Sequence, residues 1–337
     1  MPDRLLDWIW ESGQPAARGA RALLTPFGWL YRAVVAGRNL AFDRGWFAVR
    51  PVALRTLSVG NLTVGGTGKT PVSAWLVGQL RDRGMRPALV LRGYGGDEPL
   101  VHARLNPGVP VIVGADRVQG IARSQAGGSA IAVLDDGFQH RRAHRDADLV
   151  LLSADRFGPV RTLPAGPWRE PLASLRRANV IVVSHKSVSR LRARELLHHA
   201  LRFAPDAAGV IVHLAVDAVV NVATGRTMPI STLRDSTLLA VSAIGDPRAF
   251  ESQLRASGAR VDGVSFADHH RYTRGDVKRL VSRAQGISKV VCTLKDAVKL
   301  GPVWPREAPP LWYLSQRVVV EEGGDAIEAL LARLTSR

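Results

Sequence analysis

The sequence predicts an α/β protein: a mostly parallel sheet domain of P-loop NTPase-like kind, joined by a β-strand linker to a second, smaller α/β domain. Three observations carry this expectation. Short apolar runs alternate with helical patterns from Arg55 onward, the signature of βαβ units and hence of parallel strands. A glycine-rich stretch ending in Gly68-Lys69-Thr70 falls directly between one such run and one such helix, where a phosphate-binding loop belongs. The alternation is then interrupted over 209–237, where β-rich runs replace it, before it resumes.

Taken in order, the first fifty residues stand apart. Leu23, Phe27, Leu30 and Val34 recur at helical spacing, and Trp8, Trp10, Trp29 and Trp46 fall in the same segment. Tryptophan favours membrane–water interfaces because its ring is apolar with one polar N–H. Residues 1–50 therefore read as an amphipathic, membrane-associating segment, or as a helix that packs the same face on the protein's own core. The P-loop domain is expected over 51–208, with strands at 55–59, 87–91, 109–113, 130–134, 149–152 and 180–183. Helices fit between several of these, notably at 70–83 and 117–125. The linker, 209–237, holds apolar runs at 210–216 and 219–222 and a turn-like Thr224-Gly225-Arg226. The smaller domain, 238–337, resumes with strands at 238–244, 261–266, 289–293 and 311–314, and helices at 247–257, 274–285 and from Asp325. It is expected to close over the active site.

Composition narrows the classes. With 337 residues, 46% hydrophobic and 22% charged, the chain is long and apolar enough for two packed domains. The longest stretch without Asp, Glu, Lys or Arg, 56–68, is thirteen residues, short of the roughly 18 that a spanning helix needs. Asp3, Asp7 and Glu11 leave the amino terminus without the basic start and apolar core of a secretory signal, so a cytoplasmic location is expected. The single cysteine, Cys292, reads as a buried strand residue with no disulfide or zinc role. A formal net charge of +17 attracts anions of every kind, from nucleotides to lipid headgroups.

The segment Gly60-Asn61-Leu62-Thr63-Val64-Gly65-Gly66-Thr67-Gly68-Lys69-Thr70 carries the chemistry. Its glycines let backbone N–H groups converge on phosphate oxygens, Lys69 neutralises the β- and γ-phosphates, and the Thr70 hydroxyl holds Mg²⁺. Thr63 stands where the strict pattern wants glycine. Gly60, Asn61, Thr63, Gly65, Gly66, Thr67, Gly68, Lys69 and Thr70 are thus the candidate nucleotide contacts. A strand ending in Asp135-Asp136 supplies carboxylates to complete the Mg²⁺ shell. Asp116 ends another strand and points to the carboxyl edge of the sheet, where ligands bind in open α/β folds. Asp268-His269-His270 ends a strand of the smaller domain; adjacent histidines on extended backbone diverge, which disfavours a shared metal.

These motifs resemble, in order, those of the tetraacyldisaccharide 4'-kinases. The resemblance rests on the phosphate loop ending in Thr70-Pro71, Arg92-Gly93-Tyr94-Gly95, Asp135-Asp136-Gly137-Phe138-Gln139-His140, Gly166-Pro167-Trp168-Arg169-Glu170-Pro171, Asp268-His269-His270 and Thr293-Leu294-Lys295-Asp296. It runs from the amino-terminal helix to about Leu300. It implies an ATP- and Mg²⁺-dependent kinase acting on the 4'-hydroxyl of a tetraacylated glucosamine disaccharide 1-phosphate, an acylated lipid substrate of lipid A biosynthesis. The enzyme would be monomeric and peripheral, at the cytoplasmic face of the inner membrane, without a nucleic-acid partner. By position, Asp116 and His269 resemble the family's catalytic pair beside Lys69, with Asp116 as base. Tyr94, Gln139, His140, Arg169 and Glu170 resemble residues lining the active-site and lipid-substrate surface. Leu294 departs from the family, which usually carries Glu there.

Two rival classes are weaker. A P-loop GTPase needs an Asn-Lys-x-Asp-like element, and Lys295-Asp296 lacks the spacing. A basic, NTP-regulated nucleic-acid-binding protein would interleave aromatics with its basic clusters, yet aromatics are 6% of the chain and half the tryptophans lie in the first fifty residues.

Overall fold

The computed structural model describes residues 2–93 and 96–336. Two compact units emerge: a larger one of Leu5–Gly93, Leu105–Leu214 and the chain from Val318, and a smaller one built chiefly from 96–104 and 215–317.

In the larger unit the strands are β1 (Arg55–Asn61), β2 (Pro87–Leu91), β3 (Val111–Val113), β4 (Ile131–Asp135), β5 (Ala147–Ser153), β6 (Val180–His185) and the first half of β7 (Ala208–Asn221). They run in the order β7-β6-β5-β1-β4-β2-β3, and every pair is parallel. Burial along β2 and β4 is unbroken, as it must be when helices cover both faces of a parallel sheet. Alternate residues serve opposite faces. Ile131 and Val133 join the core beneath α3 (Lys69–Asp82) and α10 (Gly324–Thr335), whereas Ala132 and Leu134 pack with Ile121 of α5 (Arg117–Ala126). Leu196 and Leu197 of α6 (Arg190–Leu201) cover Val150 and Ile181. Leu76 and Leu80 of α3 are fully buried, so truncating either to alanine should cost roughly 2–5 kcal/mol.

The chain places β2 and β4 on one side of β1 and β5 on the other. The carboxyl end of β1 is therefore a topological switch point, where open α/β sheets bind ligands. Register fixes what collects there: Val59 pairs with Asp135, so the loop after β1 and the acids ending β4 emerge side by side.

The smaller unit orders β10 (Arg260–Ser265), β9 (Thr237–Ser242), β11 (Lys289–Cys292) and β12 (Leu311–Glu322) beside β7. Its β10-β9, β9-β11 and β11-β12 pairs are parallel, and β8 (Thr227–Pro229) pairs antiparallel with β7. Helices α7 (Pro247–Ala256), α8 (Arg274–Arg283) and α9 (Leu294–Leu300) bury Leu254, Leu280 and Leu300 against it. Asp246 caps α7, Thr273 and Asp276 form a reciprocal capping box on α8, and α4 (Glu98–Leu105) belongs largely to this unit.

Three differences from the sequence reading have local causes. The runs expected at 210–216 and 219–222 are one strand, β7, because exposed Asp217 falls on an outward position of the pleat. Helix α4 was not anticipated; at eight residues it is too short for a helical period to stand out in the sequence. The chain beyond Val318, assigned by sequence to the smaller domain 238–337, packs in the larger unit instead. Ile327, Leu330, Leu331 and Leu334 join the core of α3, and Gly323, at φ +75°, lets the chain enter α10 where any Cβ would come within 2.2 Å of the Gly209 carbonyl.

At the amino terminus, α1 (Pro2–Glu11) precedes α2 (Pro15–Asp43). The inward face of α2 is narrow: Ala17, Gly28, Val35, Asn39 and Ala41 are buried. Gly28 lies against Thr162, whose hydroxyl donates to the Gly28 carbonyl at 2.8 Å. Leu23, Phe27, Trp29, Leu30 and Val34 project outward, 61–77% exposed. Among the described residues no helix is long and apolar enough to cross a membrane.

Candidate active site

The loop between β1 and α3 is shaped by its glycines. At Gly60 a Cβ would lie 2.4 Å from Phe138 Cβ, and at Gly68, φ +84°, it would lie 2.6 Å from Leu214 Cδ1. Asn61 Nδ2 donates to Thr67 Oγ1 at 2.9 Å and Ser184 Oγ to the Thr67 carbonyl at 2.8 Å. Val64 and Arg169 N–H groups bond to the Pro167 and Leu62 carbonyls, and Thr63 bridges Trp168. A Cβ on Gly66 would meet nothing within 4 Å, leaving that side of the loop open. The N-terminus of α3 has no side-chain cap, so its first N–H groups, with the positive end of the helix dipole, are available to an anion.

Facing the loop stand the acids of β4. Asp135 Oδ1 accepts from Ser73 Oγ at 3.0 Å and from the Asp136 N–H at 3.1 Å. Asp136 takes the left-handed conformation, φ +55°, which turns its carboxylate toward Lys69 Nζ at 3.6 Å and Arg169 Nη1 at 2.8 Å. Burial pushes the Asp136 carboxyl up, but the Lys69 and Arg169 charges outweigh it and hold it below the usual carboxylate range. Its Oδ1 is buried without a hydrogen bond, an oxygen with capacity left for a cation.

That oxygen, the neighbouring Asp135 and the Thr70 hydroxyl are hard donors of the kind Mg²⁺ takes. No group of three or more His, Cys, Asp or Glu able to hold a metal occurs among the described residues. The donor set thus suits an ion that keeps waters and phosphate oxygens in its shell, as Mg²⁺ does, rather than one caged by protein alone.

The lining residues divide. Gln139 Nε2 donates to the Asn61 carbonyl at 2.8 Å, and its Oε1 accepts from Arg169 Nη1 at 3.3 Å. His140 is half-buried beside Arg117, Arg142 and Arg145; burial first, then those charges, push it down to about 4. Glu170 is 1% exposed: Arg177 holds Oε2 at 2.5 Å, Asn39 Nδ2 donates to the same oxygen at 2.9 Å, and Arg38 lies 3.6 Å from Oε1, which is buried without a hydrogen bond. Glu170 thus fastens α2 to the site through Asn39 and Arg38. Tyr94 lies outside the described residues.

In the smaller unit, His269 finds a partner that the sequence reading missed. Its Nδ1 is 3.1 Å from Asp97 Oδ1 and 3.2 Å from Oδ2. Its backbone is left-handed, φ +55°, with the N–H bonded to Asp268 Oδ1 at 2.9 Å. Asp97 is almost fully buried while His269 is 37% exposed. Burial pushes Asp97 up, but the His269 hydrogen bond and the charges of Lys295, His269 and Lys299 bring it down to about 2. The hydrogen bond to Asp97 raises His269 above its ordinary value, against burial. The expected partner, Asp116, has other work: it is the N-cap of α5, and Oδ1 accepts from Val118 N at 2.9 Å and Gln119 N at 3.4 Å. His270 is likewise committed, to Asp276 at 3.1 Å. A signal for Asp97 was present in Gly95-Gly96-Asp97-Glu98, an acid directly after the glycine turn of the Arg92-Gly93-Tyr94-Gly95 motif.

A parallel sheet with a glycine loop at its switch point, an uncapped helix N-terminus, and a lysine at the start of that helix paired with the acids opposite define a P-loop nucleotide-binding protein. Comparison with known proteins narrows this class. The family model described as tetraacyldisaccharide-1-P 4'-kinase matches residues 20–97 and 95–335. The tetraacyldisaccharide 4'-kinase of Halorhodospira halophila is 37% identical, covering 98% of this chain and 97% of its own; that of Anaeromyxobacter dehalogenans is 36% identical, covering 97% and 94%. The crystal structure of LpxK from Aquifex aeolicus, in complex with ATP, superposes with a TM-score of 0.77 at 28% identity, covering 94% of this chain and all of that one. The chain belongs to the tetraacyldisaccharide 4'-kinase family.

Proposed function

We propose that this protein transfers the γ-phosphoryl group of ATP to the 4'-hydroxyl of a tetraacylated glucosamine disaccharide 1-phosphate, in lipid A biosynthesis. The observation that carries the reading is the loop itself. An uncapped helix N-terminus, with Lys69 poised 3.6 Å from a carboxylate oxygen that has no hydrogen bond, is built for a triphosphate and its counter-ion. Lys69 would neutralise charge on the transferring group, while Thr70, Asp135 and Asp136 would hold Mg²⁺. When bound, that ion would offset the charge that develops on the transferring phosphoryl group. Arg169 keeps Asp136 ionised and aligned, and Gln139 braces Asn61 beneath the loop.

A sugar hydroxyl needs somewhere for its proton to go. We assign that task to the Asp97–His269 pair in place of Asp116, because the imidazole and carboxylate are already joined through Nδ1 and one of the two is exposed. A proton drawn from the hydroxyl would reside on the pair. A peripheral location is supported by α2, whose outward apolar side chains, with the net charge of +17, suit the anionic cytoplasmic leaflet of the inner membrane.

The deciding assay incubates γ-labelled ATP and Mg²⁺ with the disaccharide 1-phosphate in detergent micelles. Label should move to lipid only when both acceptor and Mg²⁺ are present. ATP hydrolysis indifferent to the acceptor would overturn the reading in favour of a nucleotide-driven switch.

A further inference from the structure

The carboxylate of Asp97 has two further charged neighbours besides His269. Helix α9 projects Lys295 and Lys299 one turn apart toward it. Lys299 Nζ lies 3.9 Å from Asp97 Oδ2 and 3.6 Å from Asp296 Oδ1, its side chain only 14% exposed. The ammonium is buried and makes no hydrogen bond, and it lies 5.6 Å from the centre of the Tyr272 ring. A buried cation without hydrogen bonds is costly, so its retention between two carboxylates points to an electrostatic task.

Asp296 is anchored and cannot follow the lysine. It is fully buried; Oδ2 accepts from Thr293 Oγ1 at 2.7 Å and Ala243 N at 3.1 Å, while Oδ1 accepts from Tyr272 O–H at 2.9 Å. Thr293, Asp296 and Tyr272 thus form a fixed rear wall, and Asp97 stands in front of the ammonium.

Resting on the reading of Asp97–His269 as the proton acceptor, we propose that Lys299 is a positioning residue for that pair. Its charge, braced by Asp296 and Tyr272, holds the Asp97 carboxylate ionised against the Nδ1 edge of His269. The direction of the Asp97 shift agrees, since Lys299 is among the charges that lower it. The groups acting on His269 are Asp97, Asp268 and Lys295; His270 is occupied by Asp276. Removing Lys299 leaves the Asp97 charge less compensated, which favours the protonated imidazole, so the His269 pKa must rise further.

The test is a titration of the full chain, ¹⁵N-labelled at histidine, followed by NMR, with His269 assigned from its absence in His269→Gln. Lys299→Met should move the His269 pKa up by about half a unit or more, the size expected when one nearby charge is removed. Lys299→Arg should restore it. In the kinase assay, kcat of Lys299→Met should fall by roughly tenfold, with the KM for ATP unchanged and the acid limb of the kcat–pH profile displaced to match the imidazole. Should Lys299→Met not fold, Tyr272→Phe serves: with its hydroxyl gone, Asp296 Oδ1 draws the ammonium away from Asp97, and His269 should shift in the same direction by less. An unmoved His269 titration in whichever of these variants folds overturns the proposal. A moved titration beside an unmoved kinetic profile upholds Lys299 as the partner of the pair and instead overturns the base assignment on which it rests.

Discussion

Lys69 helps hold Asp136 ionised, and in the proposed reaction it would also neutralise charge on the transferring phosphoryl group. Phosphoryl transfer depends on positioning and charge more than on covalent chemistry, so Lys69→Ala should lower kcat by roughly 10²-fold or more in a protein that folds normally. Near-normal turnover would refute the assignment. His140 makes a pH prediction. Its folded value, about 4, lies below the ordinary 6.5. Between these values the unfolded chain binds the extra proton, so this residue withdraws stability as pH falls through that window. The thermal midpoint of His140→Gln should therefore decline less than that of the parent between about pH 6.5 and 4; parallel declines would deny the shift. How far single residues were legible depended on sequence distance. Glycines, lysine and threonine of one loop lie together and were read directly. Asp97 and His269 are 172 positions apart, and only the fold joins them; Asp116 reads as the base from sequence because a strand-end acid and a helix cap share one signature.

Among the elements, α2 carries the sharpest conflict between local pattern and packing. Periodicity showed one apolar stripe and left its destination open between membrane and core. In the folded chain the large residues of the stripe face outward, and a second, narrower stripe of small residues faces in; small residues give a weak periodic signal, which hid it. Helix α2 is also wired to the site: Asn39 bonds Glu170, its carbonyl accepts from Arg141, and Asp43 pairs with Arg141 and Arg176. Deleting the first 45 residues would thus confound membrane binding with loss of structure. Point changes separate them. Phe27→Glu and Leu30→Glu, at side chains 61% and 64% exposed, should each weaken partitioning to anionic vesicles by roughly tenfold or more, given about 1.5–3 kcal/mol per buried apolar side chain, with the thermal midpoint unmoved. Asn39→Ala should do the reverse, costing about 1.5–3 kcal/mol of stability for a lost bond to a carboxylate. Vesicle binding that survives both Glu substitutions would remove the interfacial role.

At the scale of the whole molecule, alternating strands and helices gave the α/β class and most of the strands, but not the path by which the chain builds two units from interleaved segments. Residues 96–104 leave the larger unit between β2 and β3, and the chain returns to it at Val318 to lay α10 on the core. That routing assigns the chemistry differently from a linear division of the chain. The phosphate loop and Asp116 belong to the larger unit, whereas Asp97, His269 and Lys299 all belong to the smaller. Substitutions should segregate accordingly. Asp97→Asn and His269→Gln should each lower kcat by roughly 10²–10⁴ while leaving the KM for ATP nearly unchanged, as expected of groups that act on the acceptor's proton. Together they should be scarcely worse than the weaker single variant, since the pair acts as one unit. Asp116→Ala loses a helix cap and should cost about 1 kcal/mol of stability with a far smaller change in kcat. Multiplicative losses from Asp97 and His269 would show two independent roles. An Asp116→Ala enzyme as slow as His269→Gln, beside a fully active Asp97→Asn, would return the proton to Asp116 and reduce the Asp97–His269 contact to an ion pair that shapes the smaller unit.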